Sequence, residues 1–426
     1  MSLLLQTIKD NRAGRSAGVY SVCCAHALVI EAALEQAKDD NSIAVIEATA
    51  NQVNQFGGYT GKKPDDFRKF VSEIARKVEF DLAAIVLGGD HLGPVCWANE
   101  PAEAALKKSE DLIAAYVRAG FKKIHLDCSM PCLDDAILLD DKIVAERAAR
   151  LCGIAEKVAI ESFGNSNILY IIGTEVPPPG GTNEEEPELT VTSPAHARRT
   201  MSLHHRAFIK AGLESAWPRV IGLVVQPGVE FSHTSVIQYD RKKAAALREL
   251  LPTIENIVFE AHSTDYQLPG NYLDLVDDHF AILKVGPQLT FALREALFAL
   301  SHIEDVIVPE HKCSHMRAVC EKTMVEKPVY WQKFYPVPDA ELSLYRQFSY
   351  SDRIRYYWPD PSLKEAAEKL FSNLSAHPIP LPLISQYLPD LYWSVADGSV
   401  TNAAEDLVKA RIKQIIKSYS RACFNR

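Results

Sequence analysis

The feature that most limits what this chain can fold into is a rhythm. From about Gly18 to about Gly286, a short apolar run ending in small or polar residues is followed by an amphipathic stretch, eight times over. The runs are GVYSVCCAH, SIAVIEATANQ, LAAIVLGGDHLGP, KKIHLDCSM, KVAIESFGN, RVIGLVVQPGVE, NIVFEAHSTD and FAILKVGPQ. Their apolar residues are often consecutive, as in Ala83-Ala84-Ile85-Val86-Leu87, which suits strands buried on both faces of a parallel sheet. Between them lie helical patterns. In the stretch from Pro101 to Ala119, Ala105, Leu112, Ala115 and Ala119 recur at helical spacing, and Pro101 suits a first turn. Eight β-then-α units predict a closed (β/α)8 barrel, an α/β fold, in preference to an open doubly wound sheet. No G-x-G-x-x-G follows the first run, which argues further against a dinucleotide fold.

A barrel of this kind occupies about 250 residues, so a chain of 426 residues has room for an appendage. The strand rhythm stops near residue 310. The partition predicted is a barrel over 1–310 and a helical C-terminal extension over 311–426, packed on the barrel. Within the extension, the aromatic stretch SLYRQFSYSDRIRYYWPDP suits core packing or a subunit contact. One connection stands out, the segment from Asn167 to Pro194. Its Pro-Pro-Pro-Gly-Gly core and Glu184, Glu185 and Glu186 predict a long acidic loop.

The net charge of −9 and the absence of a basic tract argue against nucleic acid and anionic membrane as partners. The N-terminal stretch lacks the apolar core of a signal peptide, and no later stretch is apolar enough to span a bilayer. Nine cysteines, several inside apolar runs, read as reduced thiols of a cytoplasmic protein.

In such barrels the chemistry gathers where strands end. Strand two ends in Glu47, followed by Gln52, Asn54 and Gln55. Strand three ends in Asp90-His91 and strand four in Asp127. Strand five and its loop offer Glu161, Asn165 and Glu175. Gln226 ends strand six, His262 and Asp265 follow strand seven, and Lys284 and Gln288 belong to strand eight. A ring this polar suits a polyhydroxylated ligand. His91 and His262 would project into one mouth, where imidazoles beside a carboxylate can hold zinc or another divalent cation. Each could equally cap its own strand. Asp90, beside such a cation, could move a proton. A metal site at His311, Cys313 and His315 is disfavoured, because the segment reads as entering a helix. No Walker A loop is present, so no nucleotide is expected.

The segments IEATANQVNQFGGYTG, GGDHLGP, IGTEVPPPGG, VVQPGVEF, FEAHSTDYQ and YSDRIRYYW resemble those of the D-tagatose-1,6-bisphosphate aldolase Z-subunit family, across nearly the whole chain. That family is similar, more distantly, to zinc-dependent class II aldolases. The resemblance implies that Asp90 is the proton-transferring acid and that His91 and His262 bind zinc. It places Glu175 where a carboxylate approaches the metal, and Glu184 to Glu186 where mobile catalytic glutamates lie. Gln226 stands where a third histidine is expected. Ser263-Thr264-Asp265 replaces a glycine-rich phosphate turn, and an Asp there would repel phosphate. ILKVGPQLT lacks the Asn and Asp of those aldolases.

The resemblance therefore implies a non-catalytic subunit that supports the activity and stability of a separate catalytic Y subunit, in galactitol and tagatose 6-phosphate catabolism. Its catalytic candidates are Asp90, Glu47 and Glu184. Gln52, Asn54, Asp127, Glu161, Asp265 and Lys284 would touch a ketose or sugar phosphate, and His91, Glu175, Gln226 and His262 would hold a metal. The alternatives are a metal-dependent ketose epimerase or aldolase acting alone and a tagatose-6-phosphate kinase. The aromatic C-terminal extension is the expected partner-binding face of a hetero-oligomer.

Overall fold

The computed structural model describes residues 2–176 and 189–424. The strands are β1 (Val19–Cys23), β2 (Ala44–Thr49), β3 (Ile85–Leu92), β4 (Lys123–Leu126), β5 (Leu169–Ile172), β6 (Val220–Val225), β7 (Glu230–Phe231), β8 (Val236–Ile237), β9 (Val258–Ala261) and β10 (Ile282–Val285). β7 and β8 form a small antiparallel hairpin in the connection after β6. The other eight are parallel and close into a barrel, with β10 pairing back onto β1. The predicted (β/α)8 barrel is the fold.

Helix α1 (Ser2–Arg12) precedes the barrel. Helices α2 (Ala27–Asp39), α3 (Pro64–Lys77), α4 (Ala102–Arg118), α5 (Asp141–Phe163), α6 (Pro194–Lys210), α7 (Ala245–Leu250), α8 (Pro269–Asp277) and α9 (Pro287–Ile307) follow successive barrel strands. Seven of the eight predicted strand runs coincide with barrel strands. The fifth does not. KVAIESFGN continues α5, which ends at Gly164 in the left-handed region at φ 76°. Val158 and Ala159 are buried at helical spacing from Leu151, Cys152 and Ala155, so the apolar run extends a helix face. A run this short carries no periodicity that separates strand from helix. The true fifth strand, LYII, lies inside the stretch read as a loop.

Helix α1 closes the barrel at the N-terminal ends of the strands. Its Leu4 and Ile8 are buried against Val19, Ile43, Val45, Val86, Leu169 and Ile282, among others. Each such burial contributes about 1.5–3 kcal/mol. Arg12 ties the helix down by donating to the carbonyls of Ile254 and Ile257, just before β9.

Beyond the barrel run α10 (Met316–Glu326), α11 (Asp339–Phe348), α12 (Pro361–Ala376), α13 (Leu381–Tyr387), α14 (Tyr392–Ala396) and α15 (Ala404–Phe424). Helix α15 packs against α2, α8 and α9 through Leu407, Ile412, Ile416 and Tyr419. The Tyr419 hydroxyl donates to the Thr264 carbonyl at 2.9 Å, and Gly18 N–H donates to the Cys423 carbonyl at 2.9 Å. A second tie sits at the C-terminal end of the barrel. Buried Asp352 accepts from the Thr290 hydroxyl at 2.6 Å and lies 3.6 Å from the Arg294 guanidinium, both on α9. This anchors the turn Arg353–Tyr357 over the C-terminal mouth. No helix among the described residues is long and apolar enough to cross a membrane.

Candidate active site

Side chains alternate along a strand, so residues two apart share a face. That periodicity builds the upper barrel interior. Lys123 on β4 lies 2.7 Å from Glu47 of β2 and 2.7 Å from Glu260 of β9, all three buried. Lys284 on β10 pairs with Glu47 and sits 3.0 Å from Asp90. Buried charges persist when each is paired, and here five strands share the pairing. Gly88 on β3 makes room for it, because a Cβ there would lie 2.7 Å from the Glu47 side chain.

Above this layer three imidazoles stand in a triangle. The ring centroids of His91, His125 and His262 are 5.1 to 5.2 Å apart. His91 Nδ1 is 2.8 Å from Asp127, His125 Nδ1 is 2.9 Å from Asp90, and His262 Nε2 is 2.9 Å from Glu260. His91 holds a left-handed backbone at φ 48°. The following turn is tight: a Cβ on Gly93 would lie 1.7 Å from the Asp127 carbonyl oxygen. Burial alone would lower the His91 pKa, but the Asp90 charge and the Asp127 hydrogen bond reverse this and raise it to about 9. Burial works to raise Asp90, yet the neighbouring imidazoles hold its carboxyl well below the usual range. Burial lowers the His262 pKa.

Asp90, His125, Glu260 and His262 offer ligand atoms that all lie within 4.8 Å of one another. The donor chemistry fits a divalent cation. His125 Nε2 is buried without a partner, while its Nδ1 is oriented by Asp90, as carboxylates orient metal-binding imidazoles. With metal–ligand bonds of about 2.1 Å, the donors would close in slightly around an ion.

Over this floor opens a cavity of about 370 Å³, within the range of small-ligand sites. Asp90, His91, His262, Asp265, Lys284 and Gln52 line it on the barrel side. Arg355, Tyr356, Trp358 and Lys364 of the C-terminal extension form another wall. The aromatic stretch, read from sequence as packing or a subunit contact, therefore also shapes the mouth. Cys23 lines the cavity as well, but burial raises its thiol pKa, so it stays protonated.

The remaining predicted site residues are placed as follows. Gln52 accepts from Thr49 N–H at 2.8 Å, which braces the loop after β2. Asn54 accepts from the Phe56 and Gly58 N–H groups at 2.9 and 3.0 Å and is a turn former outside the cavity lining. Asp265 accepts from Gly286 and Gln288 N–H at 3.1 and 2.8 Å. Its carboxylate thus occupies the N-terminus of α9, where a phosphate would otherwise lodge. Burial raises its pKa to about 6. Glu161, assigned to strand five, is instead an exposed residue of α5, 3.9 Å from Lys157. Glu175 accepts from the Thr192 hydroxyl and lies outside the metal-capable group. Gln226 is committed to the Gly228 and Val229 N–H groups at 2.8 and 3.0 Å. Glu184 lies outside the described residues, as do Glu185 and Glu186.

Sequence reasoning missed His125, Glu260 and Lys123. Their signal was available: ionisable residues two apart inside apolar strands, in Lys123-Ile124-His125-Leu126-Asp127 and in Glu260-Ala261-His262.

The fold and site define a (β/α)8-barrel protein with a buried, metal-capable group of acids and imidazoles beneath a covered mouth. The chain belongs to the family described as D-tagatose-1,6-bisphosphate aldolase subunit GatZ/KbaZ-like, whose model matches residues 4–424. A solved structure from Sinorhizobium meliloti 1021, described as a probable tagatose 6 phosphate kinase, is 46% identical with a TM-score of 0.88. That match covers 95% of this chain and 100% of the other. The YdjI aldolase from Escherichia coli K12 is 11% identical with a TM-score of 0.42, covering 87% of this chain and 96% of the other. That likeness is too distant to bear on the site.

Proposed function

We propose that this protein is the non-catalytic subunit of a cytoplasmic D-tagatose-1,6-bisphosphate aldolase, sustaining a separate class II catalytic subunit in galactitol and tagatose 6-phosphate catabolism. The observation that carries the reading is Asp265. Its carboxylate fills the backbone N–H cradle at the start of α9, and it does so in a chain whose family is that of the aldolase subunit. Gln226, tied to its own loop, likewise supports a mouth that has left independent bisphosphate cleavage. The partner-binding face proposed is the C-terminal extension, where Trp393 is 78% exposed and Phe348 and Leu344 are also open. The test is aldol cleavage by the purified chain alone and with its cognate catalytic subunit. Silence alone, with a several-fold gain in the partner's activity or half-life, is expected. Turnover by the chain alone, abolished by His91→Ala, overturns the reading.

A second reading is favoured by one observation, the unpartnered buried Nε2 of His125 beneath the cavity. In it the chain is a metal-dependent ketose epimerase or aldolase in its own right. His125, His262 and Glu260 would hold zinc or another divalent cation, which when bound supplies polarisation of a ligand carbonyl. Asp90, on the cavity wall between Lys284 at 3.0 Å and His91 at 3.7 Å, would take a proton from carbon at its Oδ2. Lys284 and His91 would stabilise the charge that remains. The kinase description of the Sinorhizobium protein finds no Walker loop in this sequence. Saturable ATP binding would reopen it.

A further inference from the structure

The cavity has two electrically different ends. Its floor gathers Glu47, Asp90 and Glu260 around two paired lysines, with Asp127 against His91. Its outer wall is cationic. Lys62, from the loop after β2, and Lys364, from the first turns of α12, line it with Arg355. Among the described residues none of these three forms an ion pair with a carboxylate, whereas Lys123 and Lys284 each have two.

Lys62 rests 4.6 Å over the Phe70 ring. Burial and then repulsion from Lys364 lower its pKa. Asp66, the acid that pulls the other way, is engaged with the Lys63 N–H at 3.1 Å. Beside the lysines stands His26, the N-cap residue of α2, which supplies no side-chain hydrogen bond to that helix. Its Nδ1 is buried without a partner, and its ring meets Trp358 edge to face at 5.9 Å. Burial and the two lysines lower its pKa to about 4, so it is a neutral imidazole with a hydrogen bond to give. The open first turn of α2, reaching the cavity at Ala27, adds backbone donors and a partial positive charge of about half a unit.

We propose that this wall, formed by Lys62, Lys364, Arg355, His26 and the start of α2, is an oxyanion subsite for the phosphoryl group of a sugar phosphate. The carbonyl and hydroxyl end of the ligand then reaches the acid-rich floor. The inference rests on the ketose ligand of the second reading above and adds where its phosphate goes. Lys62 and Lys364 repel one another in the empty protein, which a dianion relieves more than a single carboxylate, while Arg355 is held in place by the Ser351 and Asp352 carbonyls. The usual helix-terminus cradle at α9 is filled by Asp265, which leaves the opposite charge pattern at α2 as the phosphate-compatible end.

The experiment is calorimetric titration of the full chain with inorganic phosphate, D-tagatose 6-phosphate and D-tagatose. It is repeated on Lys62→Met, on Lys364→Met at its exposed position, and on the double variant, with melting curves to confirm folding. We expect phosphate and tagatose 6-phosphate to bind the wild type and to weaken tenfold or more in the double variant, with salt weakening both. Absence of phosphate binding to the wild type, or affinities unchanged in folded Lys364→Met and in the double variant, overturns the subsite. Tagatose 6-phosphate bound equally by wild type and double variant removes the subsite and leaves the sugar-phosphate reading standing. Lysine-dependent phosphate binding without binding of either sugar does the reverse.

Discussion

The barrel mouth has two unlike sides. On one, β2, β3, β4, β9 and β10 send Glu47, Asp90, Lys123, His125, Glu260, His262 and Lys284 into a single buried network. On the other, β5 and β6 read LYII and VIGLVV, without an acid, a base or an imidazole. The polar residues that follow them, Glu175 and Gln226, bond to Thr192 and to backbone around their own loops. The buried charges are thus confined to five of the eight barrel strands, and β5 and β6 carry apolar packing. The two imidazoles of the metal-capable group are His125 on β4 and His262 after β9, and none comes from β6.

The largest effect should come from breaking the charged side at its centre. Lys123→Met leaves Glu47 and Glu260 facing each other in the core, and removing one partner of a buried network costs about 3–5 kcal/mol. Ile171→Val on β5 is the matched change on the scaffold side and should cost about 0.5–1.5 kcal/mol. Urea unfolding of both variants checks the contrast. Equal losses would erase it.

A somewhat smaller effect is expected from pH. His91 is raised in the folded protein from an ordinary 6.5 to about 9. The folded state therefore binds the proton more tightly than the unfolded chain between those values. The associated stability is complete below about pH 6.5 and is lost as pH rises through about 9, a change of about 3 kcal/mol. In metal-free protein, His91→Gln should flatten this part of the stability profile. A profile with the same slope in the variant would assign the titration elsewhere.

The same contrast explains what the sequence disclosed. Repetition of apolar runs revealed the barrel, because a strand buried on both faces has a signature no loop imitates. It failed at β5, where α5 carries an equally apolar run and the true strand is four residues long. Residues at strand ends, such as Asp90, His91 and His262, were legible because the barrel rule points to those positions. His125 and Glu260 sit one step deeper, where a buried charge reads as an anomaly until its partner on another strand is known. Helix α1 left no signal beyond Leu4 and Ile8, since its role is set by the open end of a barrel it does not adjoin in sequence. The outer wall was hidden for the same reason: Lys62 and Lys364 lie about three hundred residues apart and meet through the fold.

The smallest stability effect belongs to the scaffold side and is the sharpest test of the comparison. Gln226→His places an imidazole directly after β6. It removes the acceptor for Gly228 and Val229 N–H, at a cost of about 1 kcal/mol. If ligands are recruited from the charged strands, this variant leaves zinc uptake by the purified chain unchanged. His125→Ala should lower that uptake at least tenfold, because it removes a buried imidazole nitrogen of the group that has no hydrogen-bond partner. Equilibrium dialysis against zinc distinguishes the two. Uptake that rises with Gln226→His and ignores His125→Ala would move the metal to the apolar side. The buried cluster would then be purely structural, its imidazoles serving to balance four carboxylates against two lysines.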